Sequence, residues 1–408
     1  MKRTKTLILN ALCLGISFSL PLSFEVSAAP LVRLGDEQLL ANSSELLKGK
    51  RIGVLAHYAS RLSDGSHIVD ALRARPDLTL SMIFSPEHGF RSLDDTTVID
   101  SIDPTTGVQI YSLYGPRRAP TPEMFAAIDL VLVDLQDVGL RYYTYPATVT
   151  YLMRAAKLAN KPVIILDRPN PIGADQVDGA ILDANLANGD LTTIARLPTR
   201  TGMTLGETAR YLNQELGIGA DLKVIPMQGY SRSMHWKDTG LTWTPSSPAL
   251  VDPVQVELYA IFGTLEAGEL ATGRGMKNTE AFRRFGAPYI SEVQARGIID
   301  ALHLPGLKFS YVEWTPDRSK FMGQLCRGFA IEITDLSAVK SLNALIEVSE
   351  KLQASLGVAL KFPVALQMLG SQWLLDGILN QRAPDLLLER AKQDLVPFLQ
   401  KRQSALLY

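Results

Sequence analysis

The fold is decided by a stretch near the start of the chain, LSMIFSPEHGF, at residues 80–90. Its first five residues form an apolar run that predicts a buried strand. Pro86 ends the pairing because proline has no N–H to donate, and Gly89 permits the backbone angles of a tight turn. Glu87 and His88 therefore follow a strand end, where open α/β sheets place their ligands. The alternative to a ligand site is an ordinary β–α turn with a charged tip. The residues at the other strand ends help to decide between the two.

Apolar runs on either side of this stretch extend the pattern. They predict strands at residues 51–56, 80–84, 109–114, 129–135 and 161–167. Segments with helical periodicity or capping signals lie between or after them, at residues 66–75, from 121 onward, 145–160 and 204–216. Because strands alternate with helices and the central strands are apolar throughout, this part predicts a doubly wound α/β domain with a mostly parallel sheet, at residues 30–244.

The pattern changes after the sequence PSSP at residues 245–248. We expect helices and mixed strands beyond it, at residues 253–267, 308–314, 326–333, 336–355 and 383–400. A glycine-rich loop, ATGRG, lies among them at residues 271–275. The C-terminal part, residues 245–408, therefore predicts a second, smaller α+β domain.

The N-terminus has the three regions of a secretory signal peptide. Three basic residues occur among the first five, an apolar run covers residues 7–22, and small residues follow at 26–29. We therefore expect residues 1–28 to be cleaved and the mature protein to be periplasmic or secreted. Cleavage leaves Cys326 without a second cysteine, so no intramolecular disulfide is expected.

The net charge and the absence of several known sequence motifs argue against some classes of function. The net charge is −1, which does not favour nucleic acid as a partner. The first strand is not followed by the glycine fingerprint of dinucleotide binders, and the chain has neither a P-loop nor a G-x-S-x-G elbow. No run after the signal is long and apolar enough to predict a membrane span. We expect no cofactor and no membrane association of the mature chain.

Polar side chains gather at the carboxyl ends of the predicted strands. If the strands are parallel, these ends meet at one edge of the sheet, and their convergence predicts a ligand site. The set consists of Glu87, His88, Tyr114, Asp134, Gln136, Asp137, Arg141, Tyr142, Tyr143, Tyr145, Asp167, Arg168 and Asn170. Arg274 lies between two glycines, on a loop whose backbone can approach a ligand closely, and is a further candidate for binding an anion.

Three chemistries fit this set. Two carboxylates across a cleft suit glycoside hydrolysis, and tyrosines suit packing against a sugar ring. Metal-assisted hydrolysis is the second possibility, with ligands drawn from Glu87, His88, Asp134 and Asp137. The third is a non-catalytic periplasmic module that binds a cell-wall fragment or muropeptide. The residues alone leave all three open.

Longer motifs carry a family resemblance. They are FSPEHGFR (84–91), YSLYG (111–115), DLQDVGLRYYTY (134–145), LDRPNPIG (166–173), GMTLGE (202–207), GRG (273–275) and FGAPY (285–289). In number and order, over about residues 50–400, they resemble the NamZ-like exo-β-N-acetylmuramidases, glycoside hydrolase family 171. The chain is identified as a divergent member of that family.

The resemblance implies a Rossmann-like domain and a smaller C-terminal domain that closes the cleft holding the site. It implies release of terminal N-acetylmuramic acid from the non-reducing end of peptidoglycan fragments, with Glu87 as the leading catalytic carboxylate. The lactyl carboxylate of that sugar gives a reason for an arginine, since a guanidinium can hold a carboxylate through two parallel bonds. The candidates are Arg141, Arg168 and Arg274.

The chain departs from the family pattern at the second carboxylate. Asp178-Gly179-Ala180 stands where the family usually has Glu-Gly-Pro, so Asp178 is the positional match for the catalytic partner and Asp137 is the other candidate. The expected substrate-binding residues are His88, Tyr114, Gln136, Arg141, Tyr142, Tyr143, Asp167, Arg168, Asn170 and Arg274.

Overall fold

The computed structural model describes residues 31–93, 99–275, 279–357 and 365–408. The predicted signal peptide, residues 1–28, lies outside the described residues. Within the described ranges, no helix combines the length and the apolar character that a membrane span requires.

The described residues form twelve strands and eleven α-helices. The strands are β1 (Arg51–Ala56), β2 (Thr79–Ser85), β3 (Ser101–Ile102), β4 (Gln109–Ser112), β5 (Leu130–Asp134), β6 (Val163–Leu166), β7 (Asp178–Ile181), β8 (Pro198–Arg200), β9 (Leu222–Ile225), β10 (Arg284–Ala287), β11 (Leu307–Trp314) and β12 (Cys326–Ile333). The helices are α1 (Gly35–Asn42), α2 (Ile68–Arg73), α3 (Pro122–Ala126), α4 (Tyr145–Leu158), α5 (Leu205–Glu215), α6 (Pro253–Phe262), α7 (Glu292–Asp300), α8 (Ser341–Leu356), α9 (Leu366–Leu369), α10 (Gln372–Leu379) and α11 (Pro384–Arg402).

The main sheet has seven strands in the order β3-β4-β2-β1-β5-β6-β9. All neighbours are parallel except the short edge strand β3, which is antiparallel to β4. From β1 the chain builds outward on one side and then returns to place β5 on the other side of β1. This reversal of strand order makes β1 and β5 the switch point where doubly wound folds bind ligands.

Both faces of this sheet are covered. Val131 and Val133 of β5 belong to a large apolar cluster that includes side chains of α4. Leu130 and Leu132 of the same strand belong to a separate cluster with residues of α1 and α2. A strand buried on both sides needs a continuous apolar run, which is the signal that residues 129–135 carry. The predicted α/β fold class is confirmed.

The later part of the chain adds a smaller sheet. Strands β10, β12 and β11 pair antiparallel in that order, and α7 packs on them. The last segment returns to the main sheet, where Arg402 Nη1 donates to the carbonyl of Gly202 at 2.7 Å and the Tyr408 hydroxyl donates to Asp167 Oδ2 at 2.8 Å. The domain boundary between residues 244 and 245 stays a prediction.

Candidate active site

The turn after β2 places Glu87 at the carboxyl edge of the main sheet. The amide of Gly89 donates to the carbonyl of Pro86 at 3.4 Å. His88 has a φ of 71° and Gly89 a φ of 88°. The left-handed region suits glycine but is strained for histidine, and such strain persists where the surroundings enforce it. The tight turn expected at Gly89 is therefore present, and it includes His88.

Two hydroxyl groups hold the Glu87 carboxylate. The Thr144 hydroxyl donates to Oε2 at 2.7 Å, and the Tyr114 side chain forms a second hydrogen bond to the Glu87 side chain. Burial, together with this bond to Glu87, raises the pKa of Tyr114 to about 12. Tyr114 is therefore protonated at neutral pH and donates. Glu87 is oriented from two sides by groups that follow β4 and β5.

Glu87 lines a cavity of about 500 Å³ that residues of both predicted domains enclose. That volume lies within the range of small-molecule sites. Tyr142 and Tyr143 come from the first domain, and Arg274 and Phe282 come from the second. The cavity therefore combines a strand-end acid with a cation on the facing loop, as the predicted cleft requires.

The tyrosine hydroxyls in the cavity wall are already used. Tyr142 donates to the carbonyl of Tyr259 at 2.9 Å, and Tyr143 donates to the carbonyl of Ser246 at 3.0 Å. Burial raises the pKa of both tyrosines, so neither is a source of phenolate. Their rings, with those of Tyr259 and Phe282, form an aromatic wall of the kind that packs against a sugar face.

A second carboxylate reaches the cavity next to the cation. Glu266 lines it, and Arg274 Nε lies 2.9 Å from Glu266 Oε1. The Arg274 guanidinium carbon is 5.9 Å from the centroid of Phe282, which is within the distance of a cation–π contact. Glu266 and Phe282 thus set the direction of the Arg274 side chain.

A buried histidine, His57, is linked through Tyr145 to the turn that carries Glu87. His57 Nε2 accepts from the amide of Gln136 at 2.9 Å, so its Nδ1 carries the proton and donates to the Tyr145 hydroxyl at 3.0 Å. Burial lowers the pKa of His57 well below 6.5, which keeps the ring neutral. The Tyr145 hydroxyl in turn lies 3.4 Å from the carbonyl of Glu87. This chain of contacts fixes the Glu87 turn against β1 and β5.

The structure brings some of the predicted site residues together and separates others. Those lining the cavity are Glu87, His88, Tyr114, Tyr142, Tyr143 and Arg274. Those placed elsewhere are Gln136, Asp137, Arg141, Asp167, Arg168, Asn170 and Asp178.

Arg141 binds backbone instead of facing the cavity. It is fully buried, and its Nη1 donates to the carbonyls of Thr192 at 2.8 Å and Gln367 at 3.2 Å. Its Nη2 donates to the carbonyl of Met368. Burial lowers the pKa of Arg141 to about 10. Since Thr192 and Met368 line the cavity, Arg141 positions part of the cavity wall.

Arg168 neutralises buried acids. Its Nη2 lies 2.7 Å from Asp36 Oδ2 and 2.8 Å from Asp134 Oδ2, and its Nε lies 2.5 Å from Asp134 Oδ1. Burial acts to raise the pKa of Asp36, and the positive charge of Arg168 opposes that rise. Arg168 and Gln136 line a different cavity, whose wall includes the loop after β1 and residues that follow β5 and β6.

Asp167 and Asn170 hold loops together. The Asp167 carboxylate accepts from the Thr204 hydroxyl at 2.7 Å, the Gly206 amide at 2.8 Å and the Tyr408 hydroxyl at 2.8 Å. Burial raises the pKa of Asp167 to about 6. Asn170 Nδ2 donates to the carbonyl of Met203 at 3.0 Å. Both side chains are directed at protein groups.

Asp137 is buried and does not line the cavity, but its charge acts on the nearby Tyr143 and Tyr145. Its Oδ2 accepts from the Gly139 amide at 2.8 Å, and its Oδ1 is buried without a hydrogen-bond partner among the described residues. Burial raises the pKa of Asp137 to about 7. The carboxyl group is thus partly protonated near neutral pH.

Because the pKa of Asp137 is raised, we expect the free energy of unfolding of the wild type to depend on pH. Asp137→Asn should remove this part of the dependence. Between pH 4 and 7 the folded chain keeps a proton that the unfolded chain, with an aspartate pKa of about 3.9, has released. The free energy of unfolding therefore falls as pH rises, by up to about 1.4 kcal/mol per pH unit, and levels off above pH 7. Urea unfolding of wild type and variant from pH 4 to 8 measures the difference. Exposed Asp385→Asn is the control, and equal slopes in all three proteins would contradict the assignment.

Asp178 begins β7 and caps a helix of the second predicted domain. Its Oδ2 accepts from the amide of Leu342 at 2.9 Å, in the first turn of α8, whose N-cap residue Lys340 supplies no side-chain cap. Its Oδ1 accepts from the Gly179 amide at 2.8 Å. The structure therefore gives Asp178 a capping contact outside the cavity, while its catalytic role stays a prediction.

The capping contact predicts that Asp178→Ala lowers the free energy of unfolding by about 1 kcal/mol, since a helix amide loses its acceptor. We expect kcat to stay within about twofold of wild type, because the side chain is outside the cavity. Denaturant unfolding and steady-state rates on the same preparations measure both, and Asp178→Asn, which keeps an acceptor oxygen, should recover most of the stability. A fall in kcat of about a hundredfold or more with intact folding would support the catalytic role instead.

The sequence pattern does not point to every residue that lines the cavity. Thr144 lies inside the motif DLQDVGLRYYTY, but a threonine directly before a helix is typical of a cap, so its type and place do not predict a site residue. Glu266 follows α6 in a 3₁₀ turn and has no local signal, since its place depends on how the second predicted domain packs. The others that line the cavity are Thr192, Ser247, Leu250, Tyr259, Phe282 and Met368.

The metal-ligand set considered from the sequence is not assembled. In the described part of the chain, no three His, Cys, Asp or Glu side chains are grouped in a way that could hold a metal ion. Asp134 forms an ion pair with Arg168, and Asp137 is buried and does not line the cavity. The geometry favours an acid–base site over a metal-ligand site at this edge of the sheet.

Comparison with known proteins decides the family. Residues 52–254 match the family profile described as exo-beta-N-acetylmuramidase NamZ, N-terminal, and residues 257–408 match the corresponding C-terminal profile. The chain belongs to the NamZ family. This confirms the predicted family and makes the chain a glycosidase.

Individual NamZ relatives resemble the chain over nearly its whole length. Peptidoglycan beta-N-acetylmuramidase NamZ of Bacillus subtilis is 34% identical over 391 residues, covering 94% of this chain and 93% of that protein. Crystal structures of two DUF1343 family proteins of Bacteroides fragilis superpose with TM-scores of 0.83 and 0.72 at 29% and 28% identity. Each comparison covers 92% of this chain and 99% of the other. The NamZ fold therefore extends across both parts of this chain.

Proposed function

We propose that this protein is an exo-acting glycoside hydrolase that releases terminal N-acetylmuramic acid from the non-reducing end of peptidoglycan fragments. The observation that carries the proposal is the meeting of Glu87 and Arg274 in one cavity with aromatic walls. The similarity to a peptidoglycan β-N-acetylmuramidase supports the choice of substrate. We assign the activity to cell-wall turnover or recycling.

Glu87 is the general acid in this proposal. Cleavage of a glycosidic bond needs a carboxylic acid that protonates the leaving oxygen. Glu87 has the required position at the strand end, and the hydroxyls of Thr144 and Tyr114 fix its orientation. Proton transfer from a positioned carboxyl group contributes about 10²–10⁴-fold to the rate.

Arg274 recognises the lactyl group. N-acetylmuramic acid differs from N-acetylglucosamine by a lactyl ether that carries a carboxylate. Among the described residues that line the cavity, Arg274 is the one arginine, and a guanidinium binds a carboxylate with charge-assisted hydrogen bonds. The aromatic rings of Tyr142, Tyr143 and Phe282 supply apolar surface for the pyranose. The volume of about 500 Å³ suits a terminal sugar with its substituents.

The N-terminal sequence supports export. We propose that the mature protein works in the periplasm or outside the cell, where peptidoglycan is found, because residues 1–28 have the basic, apolar and small-residue regions of a cleaved signal.

Product analysis tests the proposal. Purified protein is incubated with a peptidoglycan digest whose glycan chains begin with N-acetylmuramic acid, and the products are followed by mass spectrometry. We expect free N-acetylmuramic acid from the first time point and chains shortened by that sugar. Oligosaccharide fragments from internal cleavage would contradict exo action, and release of N-acetylglucosamine alone would contradict the sugar specificity. A parallel arm with EDTA should leave the rate unchanged if the site works through carboxylates.

A further inference from the structure

Among the described residues that line the cavity of Glu87, one other carries a carboxyl group, and it is Glu266. Glycoside hydrolysis ordinarily uses two carboxyl groups, one that protonates the leaving oxygen and one that acts at the anomeric carbon. Asp137 and Asp178, the partners expected from the sequence, do not line the cavity. Glu266 therefore shares the cavity with the proposed acid, as a second carboxylate must.

The Glu266 side chain is accessible and its backbone is fixed. The side chain is 27% exposed and lines the cavity, so water and a ligand can reach it. It belongs to the 3₁₀ turn Gly263–Ala267, and Lys320 Nζ donates to the carbonyl of Glu266 at 2.7 Å. An accessible carboxylate on a fixed turn has the placement that a catalytic group needs.

The two carboxyl groups have different partners. Arg274 Nε lies 2.9 Å from Glu266 Oε1, and in such an ion pair the carboxyl group is an anion, the form that accepts a proton. Glu87 is instead held by the hydroxyls of Thr144 and Tyr114, which are uncharged. Two carboxyl groups in different environments can take the roles of acid and base in one site.

Both carboxylates act on the same part of the aromatic wall. Burial and the charge of Glu266 raise the pKa of Tyr142, and burial and the charge of Glu87 raise that of Tyr143. These tyrosines are consecutive, with Cα atoms about 3.8 Å apart. The fields of both acids therefore reach one short piece of the wall against which a sugar would pack.

We propose that Glu266 is the second catalytic carboxylate and acts as the general base, an inference that rests on the proposed function for the role of Glu87. Glu266 removes a proton from a water molecule, whose oxygen forms a bond to the anomeric carbon. The bond from that carbon to the glycosidic oxygen breaks, its electron pair stays on the oxygen, and Glu87 supplies the proton. Glu266 ends protonated and Glu87 ionised, and proton exchange with solvent restores both.

Rates on two aryl glycosides separate a base from a residue that only orients Arg274. Glu266→Gln should lower kcat/KM by about 10³-fold on both the 4-nitrophenyl N-acetylmuramide and the matching N-acetylglucosaminide. A fall on the muramide alone would give Glu266 only an orienting role, because only that sugar carries the lactyl carboxylate that Arg274 is proposed to bind. Glu269→Gln, three residues further along and outside the cavity lining, is the matched control and should keep the wild-type rates. Unfolding curves check the fold of both variants.

The anomer formed first tests the base step itself. Direct attack by water inverts the anomeric carbon, so ¹H NMR of the wild type acting on a β-glycoside should show the α-anomer of the free sugar first. The β-anomer first would make Glu266 a nucleophile and overturn the proposed step.

Chemical rescue adds a readout that a structural role would not give. Azide attacks without a base, so it should restore turnover of the aryl glycosides by Glu266→Ala and yield a glycosyl azide. No recovery by a folded variant, or wild-type rates in both Glu266 variants, contradicts the assignment. A wild type that hydrolyses the glucosaminide and not the muramide overturns the proposed function instead, and the glucosaminide rates then decide the role of Glu266.

Discussion

Glu87→Gln is expected to lower kcat/KM on a natural disaccharide, N-acetylmuramic acid linked to N-acetylglucosamine, by about 10³-fold, within the range of general acid catalysis. Glutamine keeps the shape of the side chain and can still accept from the Thr144 hydroxyl, but it has no proton to give to the leaving oxygen. The loss should be much smaller with a 4-nitrophenyl leaving group, which departs without full protonation. This contrast separates an acid from a residue that merely shapes the cavity.

Steady-state rates on both substrates measure the effect. Glu389→Gln, the same change at an exposed position of α11, controls for the substitution itself, and unfolding curves control for stability. If the variant loses activity equally on the two substrates, Glu87 acts at another step, such as attack on the anomeric carbon. If it keeps the wild-type rate on the disaccharide, the assignment of Glu87 is wrong.

Arg274→Met is expected to reverse the preference for the lactyl group. Hydrogen bonds between charged groups contribute about 1.5–3 kcal/mol, so kcat/KM for an aryl N-acetylmuramide should fall by about 10–150-fold. The same variant should retain or gain activity on the matching N-acetylglucosaminide, which has no carboxylate to be held. Loss of the guanidinium also leaves the Glu266 carboxylate facing the cavity, and this charge repels a lactyl group.

The ratio of the two kcat/KM values is the quantity to measure. Arg274→Lys keeps the charge but loses the planar fork, so it should fall between wild type and methionine. Arg73→Met, at an exposed position of α2, is the matched control. An equal fall of kcat/KM on both sugars would mean that Arg274 stabilises the cavity and does not bind the lactyl group.

The fold could be predicted where the local pattern and the packing agree. The apolar runs of β1, β2, β5 and β6 identify a buried sheet because both faces must be covered. Strand β7 was missed because its sequence, DGAI, carries a turn residue and a glycine. Helix α10 was missed because its register is set by neighbours that are remote in sequence.

The residues of the site, like the elements of the fold, could be predicted only in part. The position of Glu87 at the cavity could be predicted because a proline and a glycine frame it at a strand end, while its catalytic role stays a prediction. Arg141 and Arg168 carry the same sequence signal as Arg274, yet one binds backbone carbonyls and another neutralises buried aspartates. Sequence cannot separate these roles, because a guanidinium suits a ligand, a carbonyl and a buried acid equally well. Glu266 was missed since its position depends on the packing of the two parts of the chain.

The cavity draws its acid and its cation from different parts of the chain, with Glu87 before residue 244 and Arg274 after it. If Glu87 cleaves the bond and Arg274 selects the lactyl group, as proposed above, changes after residue 244 can alter the preference for that group while the acid stays in place. A chimaera that joins the first part of this chain to the second part of another NamZ protein would keep Glu87, Tyr142 and Tyr143 and exchange the residues around Arg274. Such a separation would let the preference for cell-wall sugars change without replacement of the catalytic acid.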